Sequence, residues 1–192
     1  CGRDADLADD REGGNRALER RLMYRLFVMD VDGTLTDGKI YMSPEGESFK
    51  AFDVRDGYGI KDILKKYHVK TAVITGRESE IVRRRARELD IDYVYQGVSD
   101  KLACLERLME KEGCSFGEVV YVGDDVNDLP CMEKAGLSCC PGDAHEDIKK
   151  ISKYVAGAGG GQGAVREVID RMIERETGIW DEACKHGHLS ID

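Results

Sequence analysis

Short apolar segments alternate with amphipathic segments along most of the chain. The apolar segments predict five buried strands and a short edge strand, at residues 25–29, 69–75, 92–95, 118–123, 137–140 and 154–155. The amphipathic segments repeat apolar positions with helical spacing and predict helices at residues 57–67, 78–89, 100–112, 126–134 and 164–176. Strands and helices that alternate through short links form a parallel sheet with helices on both faces. We therefore expect an α/β fold with a doubly wound, mostly parallel, Rossmann-like sheet.

One segment departs from this alternation. Residues 39–42 and 47–52 have the pattern of two short strands that turn at residues 43–46. Two strands joined by such a short turn pair with each other as a hairpin. We therefore expect a small β-hairpin insertion at about 38–54, which is too short to form a separate domain.

The two ends of the chain are polar and lie outside this pattern. We expect an N-terminal extension at residues 1–21, one domain at residues 22–176 and a C-terminal tail at residues 177–192. The extension lacks the apolar segment that a signal peptide needs. The tail is polar, and such ends are typically mobile.

Composition excludes several classes of function. The 192 residues include 29 Lys and Arg against 38 Asp and Glu, which gives a formal net charge of −9. This balance argues against a protein that binds nucleic acid over a wide surface. No apolar run approaches the roughly 20 residues of a membrane span. The seven cysteines are odd in number and include no C-x-x-C pair, which argues against a disulfide framework or a zinc site and favours a reducing cytoplasm.

Polar side chains follow the ends of the predicted strands. The first strand runs into segment 30–37 (DVDGTLTD), the second into 75–77 (TGR) and the fourth into 123–128 (GDDVND), while the third helix opens at 99–101 (SDK). Taken singly, such residues also occur in turns and helix caps. The carboxyl ends of parallel strands meet at one edge of a sheet, however, and two acidic clusters there repel unless a cation lies between them. The sequence therefore predicts a site for a hard divalent cation, Mg²⁺ above all.

A carboxylate, a hydroxyl and a lysine beside Mg²⁺ are suited to phosphoryl transfer. One carboxylate attacks phosphorus, while the metal and the ammonium neutralise the phosphoryl oxygens. A second carboxylate can protonate the leaving oxygen and then deprotonate the hydrolytic water. In an extended segment the side chains of Asp30 and Asp32 point to the same side, so we expect these two residues to divide the tasks.

The order of these motifs resembles the haloacid dehalogenase superfamily of phosphatases. Within it, segments 30–38, 51–60, 121–125 and 163–168 resemble the capless 3-deoxy-D-manno-octulosonate 8-phosphate phosphatases, and the resemblance covers residues 22–176. It implies a Mg²⁺-dependent phosphomonoester hydrolase that forms an aspartyl-phosphate intermediate. It also implies a phosphorylated sugar acid as the substrate, a place in lipopolysaccharide sugar biosynthesis and a cytoplasmic location.

The resemblance implies roles for particular residues. Asp30 would be the nucleophile and Asp32 the general acid and base, while Thr75 would hydrogen-bond the phosphoryl group and Lys101 would neutralise it. The residues that would line the sugar-acid site are Asp53, Val54, Arg55, Asp56, Gly57, Lys61, Arg77, Arg85 and Asn127.

The resemblance also implies a ligand set for the metal. Mg²⁺ would bind the carboxylates of Asp30 and Asp124 and the backbone carbonyl of Asp32. Asp125 and Asp128 would support it.

A capless site is open to water, which phosphoryl transfer disfavours. Relatives solve this as homotetramers in which the hairpins form a central barrel and a neighbour's tail covers the site. The Gly-rich loop 157–163 and the tail are candidates for such a cover, and we favour this interpretation slightly over a merely flexible linker.

Departures from the family pattern keep other functions open. Relatives commonly carry Arg at position 162, Asn at 53 and Arg at 61, where this chain has Gln162, Asp53 and Lys61. Gln162 and Asp53 alter the charge near the expected substrate, and Lys61 cannot form the bidentate contacts of an arginine. These changes leave a nonulosonate 9-phosphate of the sialic-acid type as an alternative.

Two further alternatives are not enzymes. A receiver domain uses similar residues, but its phosphoacceptor ends the third strand, where this chain has Tyr95-Gln-Gly. A regulatory phosphatase-like module is disfavoured because every expected catalytic position is retained.

Overall fold

The computed structural model describes residues 22–177, so the expected extension at 1–21 and nearly all of the expected tail lie outside the described residues. A six-stranded parallel sheet in the order β5-β4-β1-β6-β7-β8 forms the centre, and a separate antiparallel pair joins β2 and β3. The strands are β1 (Leu26–Met29), β2 (Tyr41–Ser43), β3 (Gly46–Phe49), β4 (Lys70–Ile74), β5 (Tyr93–Tyr95), β6 (Val119–Val122), β7 (Leu137–Cys140) and β8 (Tyr154–Val155).

The helices cover both faces of the sheet. The chain forms α1 (Val54–Tyr58), a π-helical turn (Gly59–Ile63), α2 (Leu64–Lys66), α3 (Glu80–Glu88), α4 (Lys101–Glu112), a 3₁₀ turn (Phe116–Glu118), α5 (Leu129–Lys134), α6 (Glu146–Ile151) and α7 (Ala164–Thr177). One core cluster packs α2, α3 and α7 against one face, and a second packs α4, α5 and α6 against the other. The expectation of a doubly wound sheet is confirmed.

The central strands are buried on both faces, which explains their unbroken apolar sequences. Every residue of β1, β6 and β7 is buried, as expected for parallel strands covered by helices on both sides. The chain places β4 and β5 on one side of β1 and then crosses to β6 on the other. The boundary between β1 and β6 is therefore the switch point at which ligands bind in folds of this kind.

The hairpin lies at the expected place, with shorter strands than expected. Beyond β3 the chain returns to the sheet edge, where Phe52 forms a bridge with Thr36. Tyr41 and Phe49 stack with ring centroids 4.2 Å apart. Met42 and Phe49 are largely exposed, so the hairpin presents an apolar surface.

Several helical features differ from the sequence prediction. The helix expected at 126–134 begins at Leu129, and the one expected at 57–67 contains a π-helical turn. The apolar pattern does not predict α6, because its six residues carry only two apolar side chains, Ile148 and Ile151. The first helical segment begins at Val54, three residues earlier than expected, because Asp53 caps it by accepting a hydrogen bond from the backbone N–H of Arg55.

Among the described residues, no helix is both long enough and apolar enough to cross a membrane.

Candidate active site

Asp30 stands at the carboxyl end of β1, at the switch point of the sheet. Its backbone N–H donates to the carbonyl of Val122 at 2.9 Å, which extends the β1–β6 pairing by one residue. Its carboxylate is buried and accepts a hydrogen bond from Lys101 Nζ at 2.8 Å. The fold therefore directs this carboxylate into the crevice above β1 and β6.

Lys101 is the first residue of α4, which packs against one face of the sheet. Asp100 caps this helix by accepting a hydrogen bond from the backbone N–H of Ala103 at 2.9 Å. The buried ammonium of Lys101 donates to Asp128 Oδ1 at 2.7 Å as well as to Asp30. A buried cation is thus held between two carboxylates, as its desolvation requires.

Three carboxylates converge at this point. One oxygen each of Asp30, Asp124 and Asp128 lies within 4.8 Å of the others. Thr34 Oγ1 donates to Asp124 Oδ1 at 3.0 Å, and the backbone N–H of Asp124 donates to Asp128 Oδ2 at 3.3 Å. These oxygen ligands, with only one ammonium among them, suit a divalent cation such as Mg²⁺.

The carboxyl groups of the cluster have raised pKa values, which indicates that the negative charge there is not fully balanced. Burial, followed by the charges of Asp30 and Asp128, raises the pKa of Asp124 to about 8. Burial and the charge of Asp128 likewise raise the pKa of Asp30 to about 6, against the opposing effect of Lys101. A bound divalent cation would reverse both shifts. The residues therefore fit the metal that the sequence predicts.

The loop after β1 turns sharply rather than continuing as an extended segment. The carbonyl of Val31 accepts hydrogen bonds from the backbone N–H groups of Thr34, Leu35 and Thr36. The prediction that residues 30–32 are extended is therefore wrong, because this turn begins directly after Asp30.

The carboxylate of Asp32 has its own set of partners. It pairs with Lys50 from the hairpin, and its Oδ2 lies 3.7 Å from Arg77 Nε. Asp32 and Asp30 thus have different cationic partners. This separation suits two residues with different chemical tasks.

Glycines allow the loops to approach one another closely. A Cβ at Gly33, which has a φ of +97°, would lie 2.0 Å from Asp124 Oδ2. A Cβ at Gly123 would lie 2.5 Å from the Cβ of Asp128. Only glycine at these two positions lets the loops after β1 and β6 meet.

Thr75 follows β4 and is buried at the same edge of the sheet. Its backbone N–H donates to the carbonyl of Tyr95 at 3.0 Å, and its carbonyl accepts from Val98 at 3.1 Å. The neighbouring Arg77 lies 3.6 Å from Glu47 of the hairpin. The structure thus brings segment 75–77, which follows β4, to the carboxyl edge of the sheet that carries Asp30.

The expected sugar-acid residues fall into two groups. The first surrounds α1 and contacts the Gly-rich loop. Arg55 pairs with Asp53 at 2.7 Å and donates to the carbonyl of Gln162 at 2.6 Å. Buried Asp56 accepts a hydrogen bond from the backbone N–H of Arg166 at 2.7 Å, whereas Val54 is largely exposed.

The second group lies against α3. Arg85 Cζ lies 5.7 Å from the ring centroid of Phe52, and a Cβ at Gly57 would lie 2.6 Å from Arg85 Nη2. Lys61 donates to the carbonyl of Glu88 at 2.7 Å and pairs with Asp90 at 3.3 Å. Lys61 thus contacts the C-terminal end of α3, and its substrate role stays a prediction.

Two residues of segment 123–128 are exposed. Asp125 uses its carboxylate to accept from the backbone N–H of Val126 at 2.7 Å and is not part of the three-carboxylate cluster. Asn127 is exposed in the same loop. Asp128, expected only to support the metal, is instead buried within the cluster.

The Gly-rich loop packs against the loop after β1 of its own chain. The backbone N–H of Gly161 donates to the carbonyl of Thr34 at 3.2 Å, and that of Gly160 donates to Asp143 Oδ1 at 2.9 Å. A Cβ at Gly160 would lie 1.9 Å from the carbonyl oxygen of Gly33. Within the described chain this loop is a packed support for the site rather than a free linker.

Three residues of the site are missed by sequence reasoning. Lys50 and Glu47 resemble ordinary charged hairpin residues, and no pattern shows that the hairpin folds back over the site. Tyr121 reads as a core residue of β6, yet its hydroxyl donates to Asp128 Oδ1 at 2.8 Å. The polar hydroxyl in a fully buried strand is the only sequence signal that could have indicated this contact.

The sequence is similar to those of known hydrolases. Residues 77–169 match the family of haloacid dehalogenase-like hydrolases. The chain is similar to the 3-deoxy-D-manno-octulosonate 8-phosphate phosphatase KdsC of Escherichia coli K12, with 47% identity over 159 residues that cover 83% of this chain and 84% of that protein.

Solved structures give the same result. The 3-deoxy-D-manno-octulosonate 8-phosphate phosphatase of Moraxella catarrhalis, in complex with a magnesium ion, a phosphate ion and KDO, has a TM-score of 0.80 and 39% identity, over 85% of this chain and 92% of that one. The cobalt-bound deoxy-D-mannose-octulosonate 8-phosphate phosphatase of Haemophilus influenzae has a TM-score of 0.77 and 36% identity, over 80% and 90%.

Proposed function

The chain belongs to the haloacid dehalogenase-like hydrolases, and on that basis we propose that it is a Mg²⁺-dependent phosphatase that releases phosphate from 3-deoxy-D-manno-octulosonate 8-phosphate. The observation that carries this proposal is the convergence of Asp30, Asp124 and Asp128 around one buried ammonium. The two solved phosphatase structures described above share the fold, and one of them is a complex with magnesium, phosphate and KDO.

Asp30 and Asp124 would hold the metal, together with the backbone carbonyl of Asp32. Asp128 lies close enough to join them or to orient Lys101. When bound, Mg²⁺ supplies positive charge that lowers the pKa values of these carboxylates and draws a phosphate group to the site.

In the first half-reaction, a carboxylate oxygen of Asp30 attacks the phosphorus atom. The bond between phosphorus and the sugar oxygen breaks, and the carboxyl proton of Asp32 passes to that oxygen as the alcohol leaves. Lys101 neutralises the charge on the phosphoryl oxygens, and the hydroxyl of Thr75 donates to one of them. Asp30 then carries the phosphoryl group.

In the second half-reaction, water attacks the phosphorus of the aspartyl-phosphate. Asp32, now ionised, takes a proton from this water as the new bond forms. The bond between phosphorus and the Asp30 oxygen breaks, so phosphate leaves and both carboxyl groups return to their starting states. The two tasks of Asp32 require it to stay close to the phosphorus without being the nucleophile, in line with its separate cationic partners.

The contacts around α1 concern two of the departures from the family pattern. Asp53 is an acidic departure from the family pattern, but Arg55 pairs with it at 2.7 Å, and this contact is the main cause of its lowered pKa. Its added charge is therefore neutralised locally. At position 162, Arg55 contacts the backbone carbonyl rather than the side chain.

Two further features of the proposal concern assembly and location. We propose a homotetramer built through the hairpin, whose Met42 and Phe49 are largely exposed and would be buried in such an interface. We also propose a cytoplasmic enzyme without nucleic-acid or membrane partners. The five cysteines in the described part of the chain are all free thiols, as a reducing compartment favours.

The first experiment is to measure phosphate release from the octulosonate 8-phosphate and from nonulosonate 9-phosphates, with Mg²⁺ and with EDTA. We expect kcat/KM to favour the eight-carbon acid and EDTA to abolish activity. Preference for a nine-carbon acid would move the enzyme to sialic-acid-type metabolism. Equal activity with EDTA would contradict the proposed metal dependence.

A further inference from the structure

The hairpin places a buried ammonium beside the candidate general acid. Lys50 follows β3 by one residue, and only 1% of its side chain is exposed. Its Nζ contacts Asp32 Oδ1 and lies 3.0 Å from Glu47 Oε1. Burying an ammonium is costly unless carboxylates surround it, so the position of Lys50 and that of Asp32 depend on each other.

Arg77 closes this group of charges from the other side. Its Nη2 lies 3.6 Å from Glu47 Oε1, and its Nε lies 3.7 Å from Asp32 Oδ2. Ser79 donates to Glu47 Oε2, which connects Glu47 to the start of α3. Two carboxylates thus alternate with two cations between the hairpin and the sheet.

The two oxygens of Asp32 have unequal partners. Lys50 hydrogen-bonds Oδ1, whereas Arg77 is too distant from Oδ2 for a hydrogen bond. Holding one oxygen fixes the rotation of the carboxyl group and leaves Oδ2 available to a substrate. A proton donor needs such an arrangement, because transfer requires hydrogen-bond geometry with the leaving oxygen.

We propose that Lys50 is a positioning residue for proton transfer, and that the hairpin supplies it to the site of the same chain. This inference rests on the proposed phosphatase function. Lys50 keeps its own protons and holds Asp32 Oδ1, while the proton on Oδ2 passes to the sugar oxygen as the P–O bond breaks. The hairpin therefore contributes to the chemistry in addition to any role in assembly.

The test uses two substrates with different needs for a general acid. Octulosonate 8-phosphate releases an alkoxide that must be protonated, whereas p-nitrophenyl phosphate releases a phenolate that leaves without a proton. For Lys50→Met we expect kcat on the sugar-acid phosphate to fall about 100-fold, with little change in KM. For p-nitrophenyl phosphate we expect kcat/KM, which reports the steps up to phenolate release and not the later attack of water, to change little. Lys39→Met, the same change at an exposed position before the hairpin, is the matched control and should behave like wild type.

A double variant separates positioning from a general structural role. If Lys50 acts through Asp32, Lys50→Met should cause no further loss in an Asp32→Asn background. Lys50→Gln keeps a hydrogen-bond donor and should restore part of the rate on the sugar-acid phosphate. If Lys50→Met does not fold, Lys50→Gln replaces it in the same measurements. The rise in Tm on adding Mg²⁺ should be the same in each Lys50 variant as in wild type.

Several outcomes would overturn the inference. An equal loss of kcat/KM on both substrates, or an additive loss in the Asp32→Asn background, would show that Lys50 acts only on the structure. Retained rates in Lys50→Met would show that it does not act at all. A wild-type enzyme that hydrolyses neither ester would overturn the proposed function, and this inference with it.

Discussion

Four buried side chains form a chain of hydrogen bonds beneath the candidate metal site. Tyr121 donates to Asp128, which also accepts from Lys101, and Lys101 donates to Asp30, with distances of 2.7–2.8 Å. Hydrogen bonds to charged groups in a buried setting are strong and hold their geometry. The ammonium is thus already in place before a phosphate group arrives, which is the condition for electrostatic catalysis.

Removing this ammonium should reduce the rate sharply. For Lys101→Met we expect kcat to fall by about 10²–10³-fold, the usual effect of losing one preorganised stabiliser of developing charge. Lys134→Met is a suitable control, since Lys134 pairs with Glu106 at the surface and exposed pairs of this kind contribute little. Steady-state phosphate release measures both. An unchanged kcat in Lys101→Met would remove Lys101 from the reaction.

The nucleophile can be tested by an almost isosteric change. Asp30→Asn keeps the size of the side chain but removes the oxygen nucleophile's charge, so no aspartyl-phosphate can form and turnover should be lost. The fold should persist, because the backbone N–H of Asp30 still donates to Val122. Circular dichroism would check the fold, and phosphate release the activity. A rate near that of wild type would exclude Asp30 as the nucleophile.

At the scale of the elements, the Gly-rich loop supports the loop that carries Asp32. Gly160 has no room for a side chain, because a Cβ would lie 1.9 Å from the carbonyl oxygen of Gly33. Gly160→Ala should therefore push the two loops apart, lower kcat and lower Tm. Gly157→Ala is the control, since a Cβ there has its nearest neighbour, Glu167 Oε1, at 3.7 Å. Equal behaviour of the two variants in kinetics and thermal melts would contradict this account.

Asp56 of α1, which contacts Arg166 of α7, should make the free energy of unfolding depend on pH. Burial is the main cause that raises the pKa of Asp56 to about 6 from 3.8, while its hydrogen bond with Arg166 opposes the shift. As the pH rises, the unfolded chain thus releases this proton at a lower pH than the folded state does. The contribution of Asp56 to stability is present below pH 4 and is lost as the pH rises through 6.

Asp56→Asn isolates this contribution. We expect the free energy of unfolding of the variant, relative to wild type, to rise between pH 4 and pH 7. Urea denaturation in EDTA, carried out across this range, measures the difference. A difference that does not change with pH would show that Asp56 does not titrate as its burial implies.

At the scale of the whole molecule, the parallel sheet determines how much of the site can be predicted. Its strands all end at one edge, so Asp30, Thr75 and Asp124 could be placed together from sequence alone. Lys101 could be added because its helix opens at the same edge. The strands, the helices and their order along the chain can be predicted because the spacing of apolar residues is a local property of the sequence.

Contacts that depend on how separate elements pack could not be predicted in this way. The pairing of Lys50 with Asp32 requires the hairpin to fold back, and hydrophobic periodicity carries no information about that angle. The engagement of Lys61 with Glu88 depends on the packing of the first helical segment against α3. Helix α6 cannot be predicted from periodicity, because six residues with two apolar side chains give too weak a periodic signal.

The chain has a net charge of −9 and brings three carboxylates together in one cluster. The stability of the folded protein should therefore depend on metal binding. In the metal-free protein the pKa of Asp30 is raised to about 6 and that of Asp124 to about 8. The folded state therefore keeps these protons up to a higher pH than the unfolded chain does. The contribution of these groups to stability is therefore complete below pH 4 and is lost as the pH rises through 6 and then 8. Mg²⁺ must displace the same protons, so its affinity should increase over this range.

We therefore expect the rise in Tm caused by Mg²⁺ to grow from pH 6 to pH 8.5, while Tm in EDTA falls. A cation present at 100 times its Kd adds about 2.7 kcal/mol to the free energy of unfolding, which thermal melts resolve easily. Asp124→Asn should reduce the Mg²⁺ effect and flatten the fall of Tm with pH, because it removes both a ligand and the group with the higher pKa. A Mg²⁺ effect of constant size across this range would mean that these carboxylates are already ionised in the metal-free protein.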